Sequence, residues 1–303
     1  MLPDAAHPER GSFVRDQVAA LRGVGGLDVE LHEFAPGARA LARAAGDLRR
    51  TFAGERFDVV HAHFGLSAWP ALAVRARVRA LTLHGTDLSH PRTRLATSAA
   101  LPLIDVLATV SQPLVAALPR WARSRACVLP CGADVERFRP RPREEARREL
   151  ALDARAPYLL FPADPARAEK RHDRALELAR DARVELLTLG GVDPERVPLW
   201  VNAANAVVVP SEREGFGLAV IEALACDVPV VATPVGIHAE ALAGIDGALC
   251  APYDLAHWRE ALAPHLRAHD PGIAGRERAA AYSASAMATR VADAWRAPLE
   301  RGR

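Results

Sequence analysis

Short apolar runs alternate along this chain with segments in which apolar residues recur every three or four positions, and the alternation is played out twice. The short runs read as buried parallel strands, and the amphipathic segments as helices covering both faces of such a sheet. In the first half the pattern predicts helices over 11–22, 38–53 and 67–77, with strands over 29–34, 59–62, 80–83, 106–110 and 126–129. Residues 137–155 combine Pro140 and Pro142 with a charge run and a short amphipathic helix over 143–150, which reads as a linker. The pattern restarts with a strand over 158–161, a helix over 170–180, a strand over 184–189 and a helix over 194–203. A strand over 206–209, a helix over 217–225, strands over 228–232 and 248–250, and helices over 255–269 and 283–295 complete it. The expected class is α/β, with two Rossmann-like domains. The first spans 1–138, a linker 139–156 follows, the second spans 157–282, and a last helix over 283–303 returns toward the first domain.

A Rossmann-like domain opens with a strand feeding a glycine-rich loop, and in the common strand order that strand lies in the middle of the sheet. Here residues 1–11 read as the loop without the strand. Omitting a central strand leaves buried backbone groups unpaired, at a cost on the order of 1–3 kcal/mol each. The sequence therefore raises the expectation that the natural protein starts about ten residues earlier than Met1, with a Val/Leu-rich strand.

The chain has 303 residues, 50% of them hydrophobic, which is enough for two cores. Its formal net charge of +2 argues against a nucleic-acid partner. The halves differ: residues 1–150 hold 22 Arg against 16 Asp and Glu, or +6, and residues 151–303 hold 17 Lys and Arg against 21 Asp and Glu, or −4. The basic first half raises the expectation of peripheral membrane contact, although dispersed arginines on solvated helix faces give the same count. Cys127, Cys131, Cys226 and Cys250 form no CxxC pair or two-cluster zinc spacing, and read as buried thiols in a reducing cytoplasm. No run of about 18 apolar residues occurs, and the first residues lack the apolar core of a signal peptide. A cytoplasmic location, at most peripheral at the inner face of a membrane, is expected. Lys170 is the single lysine, and its survival in a chain that uses Arg everywhere else hints at a chemical requirement.

The run PSEREGFGLAVIE, from Pro210 to Glu222, carries the strongest chemistry. A strand ends at Pro210, a glycine-bearing turn follows, and a helix begins near Gly217, so free backbone N–H groups face the crevice at the strand ends. That suits a diphosphate or a developing anion. Glu222 lies eight positions after Glu214, so the two carboxylates can reach different parts of one elongated ligand.

Glu214 through Glu222 resembles the E-x7-E motif of retaining glycosyltransferases of the GT-B fold, and PSEREGFGLAVIEALACDVPVVATPVG resembles the signature block of glycosyltransferase family 4. The resemblance implies two Rossmann-like domains facing across a cleft, an NDP-sugar donor, a glycan or lipid-linked acceptor, and no metal or other cofactor. It implies that Glu214 holds the donor sugar's hydroxyls, that Glu222 holds the nucleotide ribose, and that Gly215, Phe216, Gly217 and Leu218 line the donor site. It implies further that an Arg and a Lys in the loop over 161–171 neutralise the donor diphosphate. The usual arginine position, five residues before the lysine, is Pro165 here, so the role passes to Arg167, as in members with a shorter loop, beside Lys170.

His84, at the end of the strand ALTL, resembles the histidine that the family sets beside the donor sugar. His61 and His63 share one strand face, since strand side chains alternate. They suit acceptor-side or structural roles better than a metal pair, because no third ligand is evident. Gly11, before the first helix, resembles the loop that closes over the phosphates, and Gly132, in the segment from Pro130 to Pro140, resembles the family's interdomain glycine. Asp227 stands where the family usually has glycine. The chemistry implied is a front-face displacement with retention, in which Arg167 and Lys170 stabilise the leaving charge. A non-catalytic sugar-nucleotide-binding protein on the same fold is the alternative.

Overall fold

The computed structural model describes residues 11–35 and 37–301. They divide into two compact units: one runs through Gly132 and takes up the chain again from Ala284, and the other is Ala133–Ser283.

The first unit holds a parallel sheet of β1 (Phe57–His63), β2 (Ala76–Leu83), β3 (Val106–Thr109) and β4 (Ala126–Val128), ordered in space as in the chain. Alternation along the strands splits its apolar residues between two cores. Ala80 and Ala108 face a cluster with Leu21 of helix Ser12–Arg22 and Met287, Val291 and Trp295 of helix Ala284–Arg301. Leu81 and Leu107 face the opposite cluster, with Leu101, Ile104 and Leu118. Small residues on the first face let two long helices approach the sheet closely, and the last helix belongs to this unit although the chain has by then passed through the other one.

Two expectations for this unit are corrected. Residues 29–34 form no strand: β1 is the edge of the described sheet, and a strand exists only by pairing with another. Residues 67–77 are not one helix. A 3-10 turn and the short helix Ala68–Ala71 give way to β2, whose Arg77 and Arg79 hide the alternation that Val78 and Ala80 carry. The expectation of a missing opening strand falls on residues outside those described.

The second unit is a parallel sheet of β5 (Tyr158–Phe161), β6 (Glu185–Thr188), β7 (Ala206–Val209), β8 (Val230–Ala232) and β9 (Leu249–Cys250) in the order β6-β5-β7-β8-β9. β5 and β7 are buried along their whole length, as central strands covered on both faces must be. Helix His172–Ala182 buries Ala175, Leu178 and Ala179, three positions at helical spacing, against Leu159, Phe161 and Trp258. The chain leaves β5 toward β6 on one side and returns as β7 on the other. The crevice beyond the ends of β5 and β7 is therefore the switch point at which open α/β sheets take their ligands.

Residues 139–156, read as a linker, lie within this second unit. Arg143 donates to the carbonyls of Ala204, His269 and Pro271, and Arg147 to those of Ala203 and Ala154 and to Asn205 Oδ1. Asn205 in turn accepts from the Tyr158 N–H at the start of β5. Charge read as solvated is thus buried and used to cap backbone acceptors. The cysteines also differ from expectation: only Cys226 is buried, Cys127 is exposed, and Cys131 and Cys250 are half-buried, all of them free thiols. Among the described residues no helix is long and apolar enough to cross a membrane.

Candidate active site

The loops after β5 and β7 meet at the switch point. They are tied by a backbone hydrogen bond from Glu212 N to the Glu169 carbonyl, 2.9 Å. Lys170 does not open the following helix, as the sequence pattern suggests. It closes a 3-10 turn, Ala168–Lys170, after which Arg171 adopts φ 57° and the helix begins at His172. The left-handed residue breaks the helical hydrogen-bond ladder, and the lysine side chain is turned toward the other loop. Its ammonium donates to both oxygens of Glu214, at 2.7 and 2.8 Å, with the side chains only 16% and 9% exposed. The Ser211 hydroxyl donates to the same carboxylate at 2.8 Å.

Beyond Glu214 the turn places Gly217 at φ 108° as the N-cap of helix Leu218–Ala225, with no side chain capping the first N–H groups. Glycine is required twice over. The positive φ disfavours any other residue, and a Cβ would stand 2.3 Å from His238 Nε2. His238 is fully buried beneath the turn. Its Nδ1 donates to the Thr233 carbonyl at 2.9 Å, which leaves Nε2 a bare acceptor with no partner among the described residues. Burial lowers its pKa, against the pull of the Glu214 carboxylate. Phe216 is buried against Tyr282, with ring centroids 5.9 Å apart, and its carbonyl accepts from Ile237 N at 2.8 Å. Glu222 lies half-buried on the helix that Gly217 caps, with Leu218 opening it and Gly215 in the turn before.

Arg167 does not join this group. Its guanidinium is half-exposed and forks onto Glu169, two residues away, at 3.0 and 2.8 Å. Arg171 pairs with Asp173 and Glu212 instead, and Arg174 donates to the Pro210 carbonyl at 3.3 Å. His238, Ser211 and Arg171 were not singled out by sequence reasoning. Ser211 lies inside the signature run, whereas a lone His in an Ala-rich helix gives no signal until its neighbours are known. Asp227, the departure from the usual glycine, takes a left-handed conformation, φ 54°, and its carboxylate accepts from the N–H groups of Gly275 and Arg276 at 2.9 and 2.8 Å. That pairing compensates the conformational cost.

In the first unit the predicted histidines converge. His61 and His63 stack at 4.6 Å, and His63 Nδ1 lies 3.0 Å from His84 Nε2. Phe13, two residues after Gly11, packs its ring 4.7 Å from that of His84. Asp87 fixes the local backbone, accepting from the N–H groups of His84 at 2.6 Å and Gly65 at 2.7 Å. Burial pushes the pKa of His63 down to about 4, and those of His61 and His84 well below the ordinary imidazole value. Gly11 caps helix Ser12–Arg22 at φ 72°, and Gly132 is buried at the end of this unit. Among the described residues no group of three or more His, Cys, Asp or Glu is arranged to hold a metal ion.

Comparison with known proteins bears on the whole arrangement. The pattern described as Glycosyltransferase Family 4 matches residues 5–137, and that of Glycosyl transferases group 1 matches residues 162–267. D-inositol 3-phosphate glycosyltransferase 1 of Catenulispora acidiphila is 30% identical, over 92% of this chain and 78% of that protein. The D-inositol 3-phosphate glycosyltransferase of Actinosynnema mirum is 33% identical, over 88% and 78%. Among solved structures, sucrose-phosphate synthase from Thermosynechococcus elongatus aligns with a TM-score of 0.73 at 21% identity, covering 96% of this chain and 94% of the other. HepE of Anabaena, in complex with UDP and glucose, aligns with a TM-score of 0.63 at 15% identity, covering 84% and 81%. With both parallel-sheet units matched in fold, both halves matched in sequence, and relatives aligned over most of their length, the chain belongs to glycosyltransferase family 4 and is a glycosyltransferase of the GT-B fold.

Proposed function

We propose that this glycosyltransferase moves a sugar from an NDP-sugar to an acceptor hydroxyl with retention of configuration and without a metal. One observation carries the reading: the only lysine of the chain is bonded to both oxygens of Glu214 at the switch point, beside the uncapped start of helix Leu218–Ala225. In the free protein the two charges satisfy each other. An arriving diphosphate competes for the ammonium, since charge-assisted bonds to phosphate oxygens replace those to the carboxylate. Glu214 is then released to accept from the sugar's hydroxyls, while Glu222 serves the ribose. The ammonium and the helix N–H groups stabilise the charge on the departing diphosphate, whose oxygen takes the acceptor's proton. Arg167 reaches the diphosphate only by leaving Glu169, and its exposure makes that inexpensive.

Crystals of HepE with UDP support a uridine donor, and the names of the relatives favour a second reading of the acceptor, D-inositol 3-phosphate, beside the glycan or lipid-linked hydroxyl that the basic first half suggests. A panel of UDP-, GDP- and ADP-sugars, offered with inositol phosphate and with glycan and lipid-linked acceptors, tests the proposal. The expected result is one product of retained anomeric configuration, formed equally well in EDTA. Inversion, or activity lost to EDTA and restored by manganese, overturns it. Nucleotide binding without transfer on any pair would leave the chain a binding protein.

A further inference from the structure

Three imidazoles meet at the ends of β1 and β2, and their hydrogen-bond partners fix the side of each ring that carries the proton. The Trp295 indole can only donate, and it donates to His61 Nδ1 at 3.1 Å. His61 therefore holds its proton on Nε2, which donates to the Thr82 hydroxyl at 2.8 Å. His63 belongs to a separate chain of bonds. The Gln17 amide nitrogen, on the buried face of helix Ser12–Arg22, lies 3.4 Å from His63 Nε2, and His63 Nδ1 lies 3.0 Å from His84 Nε2. An amide N–H only donates, so His63 Nε2 accepts and the His63 proton sits on Nδ1. That proton is donated to His84 Nε2. A neutral His84 then has one place left for its own proton, Nδ1, on a half-buried ring and with no partner among the described residues.

We infer that Gln17 and His63 are positioning residues that set the tautomer of His84, so that His84 presents an Nδ1 N–H as a neutral hydrogen-bond donor and is not the base that deprotonates the acceptor. Desolvation first, and then the neighbouring imidazoles of His63 and His61, keep the ring neutral at physiological pH. Phe13 and Phe64, each 4.7 Å from the His84 ring centroid, and the Asp87 carboxylate on the His84 backbone N–H hold the ring in place. The ligand this donor suits is an uncharged oxygen, such as a sugar hydroxyl. A bare Nδ1 would instead accept a proton. In transfer, the consequence rests on the reading above: with His84 unable to serve as base, deprotonation falls to the departing phosphate. The tautomer itself does not depend on that reading.

The test is nitrogen-15 NMR of the full chain labelled at histidine, with His61→Asn, His63→Asn and His84→Asn used for assignment. Long-range proton correlations distinguish a protonated ring nitrogen from a bare one. The expected pattern is a proton on Nε2 of His61 and on Nδ1 of His63 and His84. Gln17→Met, close in volume, removes the donor that gives the chain its direction. It is expected to let both tautomers populate His63 and His84 while His61, held by Trp295, is unchanged. The kcat of this variant is expected to fall at least about tenfold, with the donor KM altered by less than about threefold. A wild-type His84 protonated on Nε2, or a Gln17→Met spectrum identical to wild type at His63 and His84, overturns the inference whether or not transfer is detected. The donor panel decides the transfer reading separately.

Discussion

At the scale of single residues, the pair Lys170 and Glu214 shows how one contact serves two states. A carboxylate only 9% exposed needs a partner in the absence of ligand, and the ammonium at 2.7 Å supplies it. Lys170→Arg is expected to leave at most about a hundredth of the activity, since a planar fork cannot put its charge where a compact ammonium sits. Initial rates under saturating donor check this, and near-wild-type turnover would remove the lysine's special role. Glu214→Ala is expected to abolish transfer while sparing affinity for the free nucleoside diphosphate, and Glu222→Ala to weaken that affinity about tenfold or more. Calorimetric titration of both variants decides it, because equal losses would refute the division of roles. Gly217→Ala meets the two obstacles already described, the positive φ and a Cβ 2.3 Å from His238 Nε2. It should destabilise the chain by about 2 kcal/mol or more, read as a lowered urea midpoint.

At the scale of elements, Arg147 acts as a tie between segments that are distant in sequence. Its guanidinium joins the end of helix Val197–Ala203, the turn at Ala154 and Asn205, which in turn holds the start of β5. Arg147→Met would preserve the packing of the stem, take the guanidinium from the Ala203 and Ala154 carbonyls, and leave Asn205 Oδ1 with the Tyr158 N–H alone. The expected loss is about 3 kcal/mol, seen as a fall in Tm, and a change below about 0.5 kcal/mol would show that water replaces the guanidinium freely. Helix Ala284–Arg301 does the equivalent for the first unit, where Trp295 seals the core and its indole fixes His61. This helix and the segment 143–149 were both legible as amphipathic helices, and the return of the last helix to the first unit was expected, but the surface that segment 143–149 would cover was not legible. The burial of Arg143 and Arg147 was illegible for the same reason: apart from the Ala154 carbonyl, the carbonyl acceptors that justify a buried guanidinium come from residues 56 to 128 positions away.

At the scale of the whole molecule, the buried histidines couple stability to pH. His61, His63, His84, His238 and His265 all have pKa values lowered chiefly by burial, to about 4 for His63. The unfolded chain takes up protons at these positions below about 6.5 while the folded chain does not. Stability is therefore full above that value and is lost as pH falls toward 4. The urea midpoint is expected to drop markedly between pH 7.5 and pH 5.0, and an unchanged midpoint would show that these rings titrate normally in the folded protein. The α/β class, the family and the two-fold repetition of the sheet pattern were readable from the chain alone, because the period of apolar residues and the run from Pro210 to Glu222 are local properties. The same reading named Lys170 and Glu214, though not that they would bind each other. The remaining features depend on packing in three dimensions. Residues 29–34 lack a strand because pairing is a property of neighbours, and Arg167 turns to Glu169 because loop geometry sets reach. His238 lies under Gly217, and Gln17, His63 and His84 form one chain of hydrogen bonds, because three-dimensional packing joins residues that the sequence keeps apart.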